Sequence, residues 1–316
     1  MARYIAARCG AAVVVALLIT VLLSMLERLV PGDPARTVLG PRATPELVEA
    51  VRAQLGLDKP VHVQVWDFVT GAVRGDLGNN FLSQTPVSEL VGNALPHTLI
   101  LAVCSLGVAA LVGIPLGAYA AAHRGSWIDR ITALVSVSVI TVPSYVAGLL
   151  LLLLFAVKLR WLPAIGAGTE SAGSYVAHLV LPTLALALLW IGYLARLVRS
   201  SMLEVLESNY IRTAHAFGLR SRVVLYKHAL RNAITPTVAV LGVGLGNLLG
   251  GAVFVEVIFN RPGLGTLIFY AIGTRDYATV RGGVLVAALL FVLANLLADI
   301  ANRVLDPRSR TAGGDT

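Results

Sequence analysis

The reactive side chains of this sequence are sparse. ATP hydrolysis by a phosphate-binding loop needs glycines followed by Gly-Lys-Ser/Thr, so that backbone amides cradle the phosphates and the lysine reaches them. The three lysines are Lys59, Lys158 and Lys227, and none follows a glycine. The chain therefore does not hydrolyse ATP by itself. Six histidines and two cysteines, Cys9 and Cys104, are scattered without metal-ligand spacing. No Gly-x-Ser-x-Gly elbow and no carboxylate pair inside an apolar run points to a membrane hydrolase. His178 lies inside an apolar run, where an ionisable group is a functional hypothesis, but near an end where imidazole reaches water.

The densest polar chemistry is in residues 196–232, which carry Arg196, Arg199, Arg212, Arg220, Arg222, Lys227 and Arg231 with His215 and His228. Ile211, Ala214 and Phe217 share one helical face, with Arg212 and His215 on another. Gly218 suits a left-handed helix end. The pattern predicts a short helix along a membrane surface, a turn, and then a basic amphipathic stretch. Taken alone, it also fits a juxtamembrane loop held on anionic lipid.

The elements that carry this loop follow from composition. The 316 residues are 57% hydrophobic and 13% charged, against roughly 25% charged in a soluble domain. Six runs lack Asp, Glu, Lys and Arg altogether: 9–26, 98–122, 131–157, 171–195, 233–255 and 282–298. Each is close to the roughly 20 apolar residues that cross a bilayer. Arg3 and Arg8 before the first run suggest a signal peptide, but its length and the lack of a small-residue cleavage site favour a retained helix. The expected fold is an all-α polytopic membrane protein with six transmembrane helices. Cys9 and Cys104 then sit in spans as small apolar residues.

With both termini cytoplasmic, the inside segments are 1–8, 123–130, 196–232 and the tail from 299. They hold fourteen basic and six acidic residues, and the outside holds eleven of each. This obeys the positive-inside rule. Orientation explains the whole net charge of +8, so no nucleic-acid partner is needed; membrane lipids are the natural contact.

The chain divides into 1–30 (N-terminus and first span), an external cap at 31–97, a core at 98–305 containing the loop 196–232, and a tail at 306–316. In the cap, Pro31-Gly32-Asp33-Pro34 signals a turn. Thr44 can cap a helix starting at Pro45 and ending near Gly56. A second apolar stretch, 61–73, carries Trp66 and Phe68. Pro115, Pro143, Pro182 and Pro236 would kink four spans, either as packing irregularities or as bends along an opening path. Gly242, Gly244, Gly246, Gly250 and Gly251 predict a close helix contact within the chain or with another subunit.

The run Arg212-Thr213-Ala214-x-Ala216-x-Gly218-Leu219, followed by His228-Ala229-Leu230-Arg231-Asn232-Ala233 and Pro236, resembles the cytoplasmic loop of binding-protein-dependent ABC importer permeases. In particular it is similar to the first of the two permeases of dipeptide and oligopeptide systems. Further patches agree: Pro31–Pro34, Leu55-Gly56-Leu57-Asp58-Lys59-Pro60, Gly75-Asp76-Leu77-Gly78, the run from Glu256 to Gly265 and Arg275-Asp276-Tyr277. The wider family carries Glu-Ala-Ala-x-x-x-Gly in this loop; here Arg212 stands in place of the Glu and Thr213 in place of the first Ala, while Ala214 and Gly218 are kept.

The resemblance implies a type I ABC importer permease fold and a non-catalytic transport subunit. Its coupling helix would contact an ATPase through Tyr210, Arg212, Thr213, Ala214, Ala216, Gly218, Leu219, Arg220 and Arg222. It implies a second homologous permease, two ATPase subunits that bind ATP and magnesium, an extracytoplasmic solute-binding protein, and peptide as substrate. No cofactor is implied in this chain itself, and the location implied is the inner membrane. Trp66, Phe68, Phe259 and Arg261 are the implied docking residues for the binding protein. Ser136, Ser138, Thr141, Ser144 and Asn247 are candidates for lining the path, or are helix-packing groups. Nickel, glutathione or another small solute is an alternative cargo. A self-contained secondary transporter is the reading from another class, and it would be expected to keep charges within the bilayer.

Overall fold

Hydrocarbon offers no water to an unpaired N–H or C=O, so a chain this apolar closes its backbone hydrogen bonds within helices. The computed structural model describes residues 2–29, 44–54 and 58–305. In chain order the helices are α1 (Ala2–Leu29), α2 (Pro45–Gln54), α3 (Val61–Val73), α4 (Val87–Ala122), α5 (Trp127–Thr141) and α6 (Ser144–Lys158). Then follow α7 (Ala172–Leu206), α8 (Asn209–Ala216), α9 (221–233), α10 (Thr235–Ile258), α11 (Leu264–Gly273) and α12 (Tyr277–Leu305). The C-terminal half of α6, Leu152–Lys158, and the middle of α9, Val224–Ala229, are wound as π-helix.

Among the described residues five helices, α1, α4, α7, α10 and α12, are long and apolar enough to cross a membrane. The run 131–157 is not one straight span. It breaks into α5 and α6, bent by 102°. Pro143 has no N–H to give, and Val142 before it is extended (φ −82°, ψ 118°), as the clash with a following proline ring demands. Counted as one span, the pair makes six. Pro236 does not kink a span either: it sits in the first turn of α10, where a missing N–H costs nothing. Pro182 is accommodated inside α7.

The helices form two compact units. The first comprises Met1–Thr98 and Pro262–Val292. Thr44 caps α2 as expected, its Oγ1 accepting from Leu47 N at 3.4 Å. The second apolar stretch of the cap is α3, which packs on α1. Gly75-Asp76-Leu77-Gly78 is a turn in which both glycines are left-handed (φ +83° and +84°) and Asp76 Oδ1 accepts from Gly78 N at 2.9 Å. It delivers Leu77 to a core of Val87, Val91, Ala94, Leu264 and Leu285. Asp276 of the Arg-Asp-Tyr patch accepts from Asn80 Nδ2 and Thr279 Oγ1, both at 2.5 Å. Gly56, Pro31–Pro34 and the tail 306–316 lie outside the described residues.

Glu27 and Arg281, each just beyond a charge-free run, meet in this unit with Nε 2.9 Å from Oε1, both side chains nearly buried. The guanidinium also lies over the Phe68 ring, 5.7 Å from its centroid. Phe68 is thus half-buried against Arg281, whereas Trp66 is exposed.

The second unit comprises Leu99–Arg261 and Leu293–Thr316. In it α7 packs against α5, α6 and α10. Leu181, Ala185, Leu186, Leu248, Ala252 and Phe259 form one core of this unit. Two of the α10 glycines serve close contacts: a Cβ on Gly242 would collide with Ala298, and one on Gly244 with the Trp190 ring at 2.7 Å.

Leaving one member of a buried ion pair alone costs about 3–5 kcal/mol, while replacing both by apolar groups is often neutral. Arg281→Met or Glu27→Leu alone is therefore expected to lower the melting temperature of the detergent-solubilised chain clearly. The double variant is expected to recover most of the loss, and thermal unfolding followed by circular dichroism checks this.

Candidate functional site

The segment after α7 is built around one anchor. α7 ends at Leu206; Glu207 and Ser208 turn the chain, and Ser208 Oγ donates to Val205 O at 2.6 Å. α8 follows, and its Ile211 is 1% exposed among Ala118, Val198, Met202 and Val224. One large apolar side chain holds an eight-residue helix that is marginal alone. Arg212 Nη2 donates to Asn209 Oδ1 at 2.7 Å, and Asn232 Nδ2 donates to the Tyr210 hydroxyl at 2.8 Å, tying α8 to α9.

Gly218 ends α8 with φ +75°. Its N–H donates to His215 O at 2.9 Å, and Leu219 N donates to Ala214 O at 3.3 Å. An added Cβ would meet nothing within 4 Å, so glycine is needed here for its backbone conformation and not for space.

Of the nine residues assigned to the coupling helix, Tyr210, Arg212, Thr213, Ala216, Gly218, Leu219, Arg220 and Arg222 are exposed, and Ala214 is half-buried. They form one surface on α8, its C-terminal turn and the start of α9. Phe217 departs from its expected position: it follows the last turn of α8 and is 82% exposed, so it does not share the buried face of Ile211. The described residues thus leave a large aromatic beside Leu219 and a set of arginines uncovered.

A clamp that sequence reasoning missed lies under this surface. Asp129, 5% exposed, is gripped by both Nε and Nη2 of Arg199, the second at 2.9 Å. Gly125 N donates to Asp129 Oδ2 at 3.0 Å, and Ser126 Oγ accepts from Asp129 N at 3.2 Å. The Ser126-x-x-Asp129 capping pattern was visible in the sequence; the partner 70 residues away was not. Arg124 and Glu207 add an exposed pair at 2.9 Å. Together they tie the turn before α5 to the last turns of α7, just ahead of α8.

The five path candidates do not come together. Ser136 is buried, its backbone close against Gly192. Thr141 Oγ1 donates back to Val137 O at 2.9 Å; Ser138 is exposed and Ser144 half-buried. Asn247 alone lines a cavity of about 490 Å³ between α7 and α10, with Leu189, Trp190, Tyr193, Ala239, Val240 and Val243.

Two docking assignments are corrected. Phe259 is 2% exposed in the core and Arg261 is fully buried. The Arg261 guanidinium lies over the Tyr175 ring and donates to His178 O at 3.4 Å and to the Tyr175 hydroxyl at 3.5 Å. The motif there holds the second unit together, and neither side chain is available to a partner. His178 also points to packing: its Nδ1 bonds Ser174 O at 2.8 Å.

Residues 113–311 match the family of binding-protein-dependent transport system inner membrane components, and residues 1–102 match the N-terminal region described for such membrane components. The chain belongs to this family. These proteins are the polytopic inner-membrane permease components of ABC transporters, with ATPase activity in partner subunits. The permease is 39% identical over 310 residues to the glutathione transport system permease protein GsiC of Salmonella typhi, covering 98% of this chain and 99% of that protein. GsiC of Pectobacterium atrosepticum is 40% identical over 294 residues, 93% of this chain and 94% of that one. GsiC of Escherichia coli K12 is 37% identical over 310 residues, 98% and 99%. Inward-facing structures of the MetNI methionine ABC transporter match with a TM-score of 0.55 at 18% and 20% identity, covering 69% of this permease and 96% of that chain. The expected type I importer permease fold is thereby shown.

The two ion pairs of the clamp differ in burial, and so should their removal. Asp129→Asn is expected to speed hydrogen exchange at the Gly125 amide at least tenfold, because its acceptor weakens and Arg199 loses its counter-charge. Arg124→Gln, in an exposed pair worth less than about 1 kcal/mol, is expected to change exchange there little. Native-state exchange read by mass spectrometry on short peptides checks both.

Proposed function

We propose that this permease is one of two membrane subunits of an ATP-driven importer of short peptides. It works beside a second, similar permease, with two ATPases on the cytoplasmic side and a solute-binding protein outside. The observation that carries this reading is α8, a short helix whose one fully buried side chain is Ile211, stopped by a left-handed Gly218, and presenting Tyr210, Arg212, Phe217 and Arg220 outward. ATPase activity in this family lies in partner subunits, and this surface suits a groove on an ATPase. ATP and magnesium belong to those partners, and this chain contributes no catalytic residue.

In the proposed cycle, closure of the ATPases displaces α8. Ile211 passes the displacement to Val198 and Met202 of α7, and the Asp129–Arg199 clamp carries it to α5. The outcome is a switch between two global states, each favoured by a different set of contacts. The loop 196–232 would then be cytoplasmic, as its basic excess suggests. Trp66, exposed on α3, remains a proposed contact for the binding protein.

The cargo reading rests on the resemblance to the peptide branch. The relatives named as glutathione permeases favour a narrower version. Glutathione is itself a tripeptide, so both versions require a path that accepts amides and free carboxylates.

The test is uptake into vesicles carrying the assembled complex. ATP-dependent accumulation of di- and tripeptides of mixed sequence is expected. Accumulation of glutathione alone would select the narrower version, and an intact complex that accumulates neither would overturn the proposal. Gly218→Val should cut uptake at least tenfold without changing the amount of chain in the membrane, since a β-branched residue is strained at positive φ.

A further inference from the structure

We infer that the groove between α7 and α10 is this chain's half of the substrate path, and that Asn247, Tyr193 and Trp190 form in it a contact site for peptide amide groups. The assignment rests on the importer function proposed above and adds the residues and the chemistry that the path offers.

Asn247 lies near the middle of α10, an apolar helix of 24 residues. Its side chain is exposed, and it makes no hydrogen bond with the described residues. A primary amide facing hydrocarbon without a partner costs about 4–8 kcal/mol. Facing lipid is thus the least favourable place for it, and a polar ligand, water or a polar subunit must lie opposite.

The surroundings favour a ligand. Ala239, Val243 and Asn247 recur every four residues along one face of α10, opposite Leu189, Trp190 and Tyr193 of α7. The space of about 490 Å³ falls within the roughly 300–1,000 Å³ of small-ligand sites. Gly244, one turn before Asn247, lets the Trp190 ring lie directly on α10. The ring in turn meets Tyr193 edge-on at 5.8 Å and 74°. The aromatic pair is thus braced against the backbone, and the Tyr193 hydroxyl, like the Asn247 amide, makes no hydrogen bond with the described residues. Two open polar groups share one otherwise apolar groove.

This arrangement selects a chemical class. A side-chain amide offers donors and an acceptor together, matching the N–H and C=O of a peptide bond. Braced aromatic faces accept side chains of many shapes. No Asp, Glu, Lys or Arg lines the groove, so it discriminates little between acidic and basic residues. The amides of an oligopeptide and those of glutathione present the same groups to it.

The experiment uses the assembled importer in vesicles, with trialanine and with glutathione as separate probes, and compares wild type with Asn247→Leu, Asn247→Gln and Tyr193→Phe. Asn247→Leu is expected to lower ATP-driven uptake of whichever probe the wild type carries at least tenfold, with subunit composition unchanged. Asn247→Gln is expected to restore most of it, and Tyr193→Phe to give an intermediate loss. Full uptake by both Asn247→Leu and Tyr193→Phe would overturn the assignment while leaving the importer function intact. Loss of the second permease from the Asn247→Leu complex would give the groove to a subunit seam and overturn it too. A wild-type complex that carries neither probe would overturn both this assignment and the function on which it rests.

Discussion

A carboxylate taken out of water is tolerated only while its partner holds it, and in this chain that rule fixes the base of the surface that α8 presents. Asp129 is almost fully buried, and its two oxygens are occupied by the fork of Arg199 and by the Gly125 amide. Separating such a pair costs several kcal/mol, so the turn before α5 and the last turns of α7 behave as one piece. α8 hangs from that piece through a two-residue turn and the Ile211 side chain. The surface it presents can be loose in its exposed side chains and still exact in position. Glu27 and Arg281 play the same part in the first unit, where the pair and the Phe68 ring hold α1, α3 and α12 together.

Much of this was legible because lipid simplifies the code. Charge-free runs marked the spans, since a charge at bilayer depth is expensive, and the second apolar stretch of the cap became α3 with the same ends, Val61 and Val73. Gly218 announced a left-handed helix end and adopts one. The reading failed where partners are distant or where a boundary was mistaken for an exit. Glu27 and Arg281 bounded apolar runs and so looked like residues at the water, yet they neutralise each other in a buried pair. Phe259 and Arg261 sat in a recognisable motif that looked like a loop, and motif spacing carries no information about burial. Phe217 matched the periodicity of Ile211, but the helix had already ended.

The path was the least legible part. Serines and threonines in spans satisfy themselves on the preceding turn, as Thr141 does on Val137, so a hydroxyl is weak evidence of a polar cavity. An amide cannot close back on its own helix so easily, and Asn247 is accordingly the candidate that opens onto a cavity. Trp190 and Tyr193 escaped notice because aromatic residues in an apolar helix read as core until a glycine on the facing helix shows that they are braced at a surface. The same physics thus joins the two ends of the proposed mechanism: unpaired polar groups mark where a ligand or partner must come, and buried pairs mark what must not move.

The most direct test of the account is site-specific crosslinking from α8 in the assembled complex. With cysteine at Ala216, which is exposed, and a short bifunctional reagent, the account predicts a product joining this chain to an ATPase subunit, with a yield that changes when ATP is added. A complex that contains the ATPases but never yields that product from Ala216, while cysteines elsewhere on the cytoplasmic side do, would contradict it.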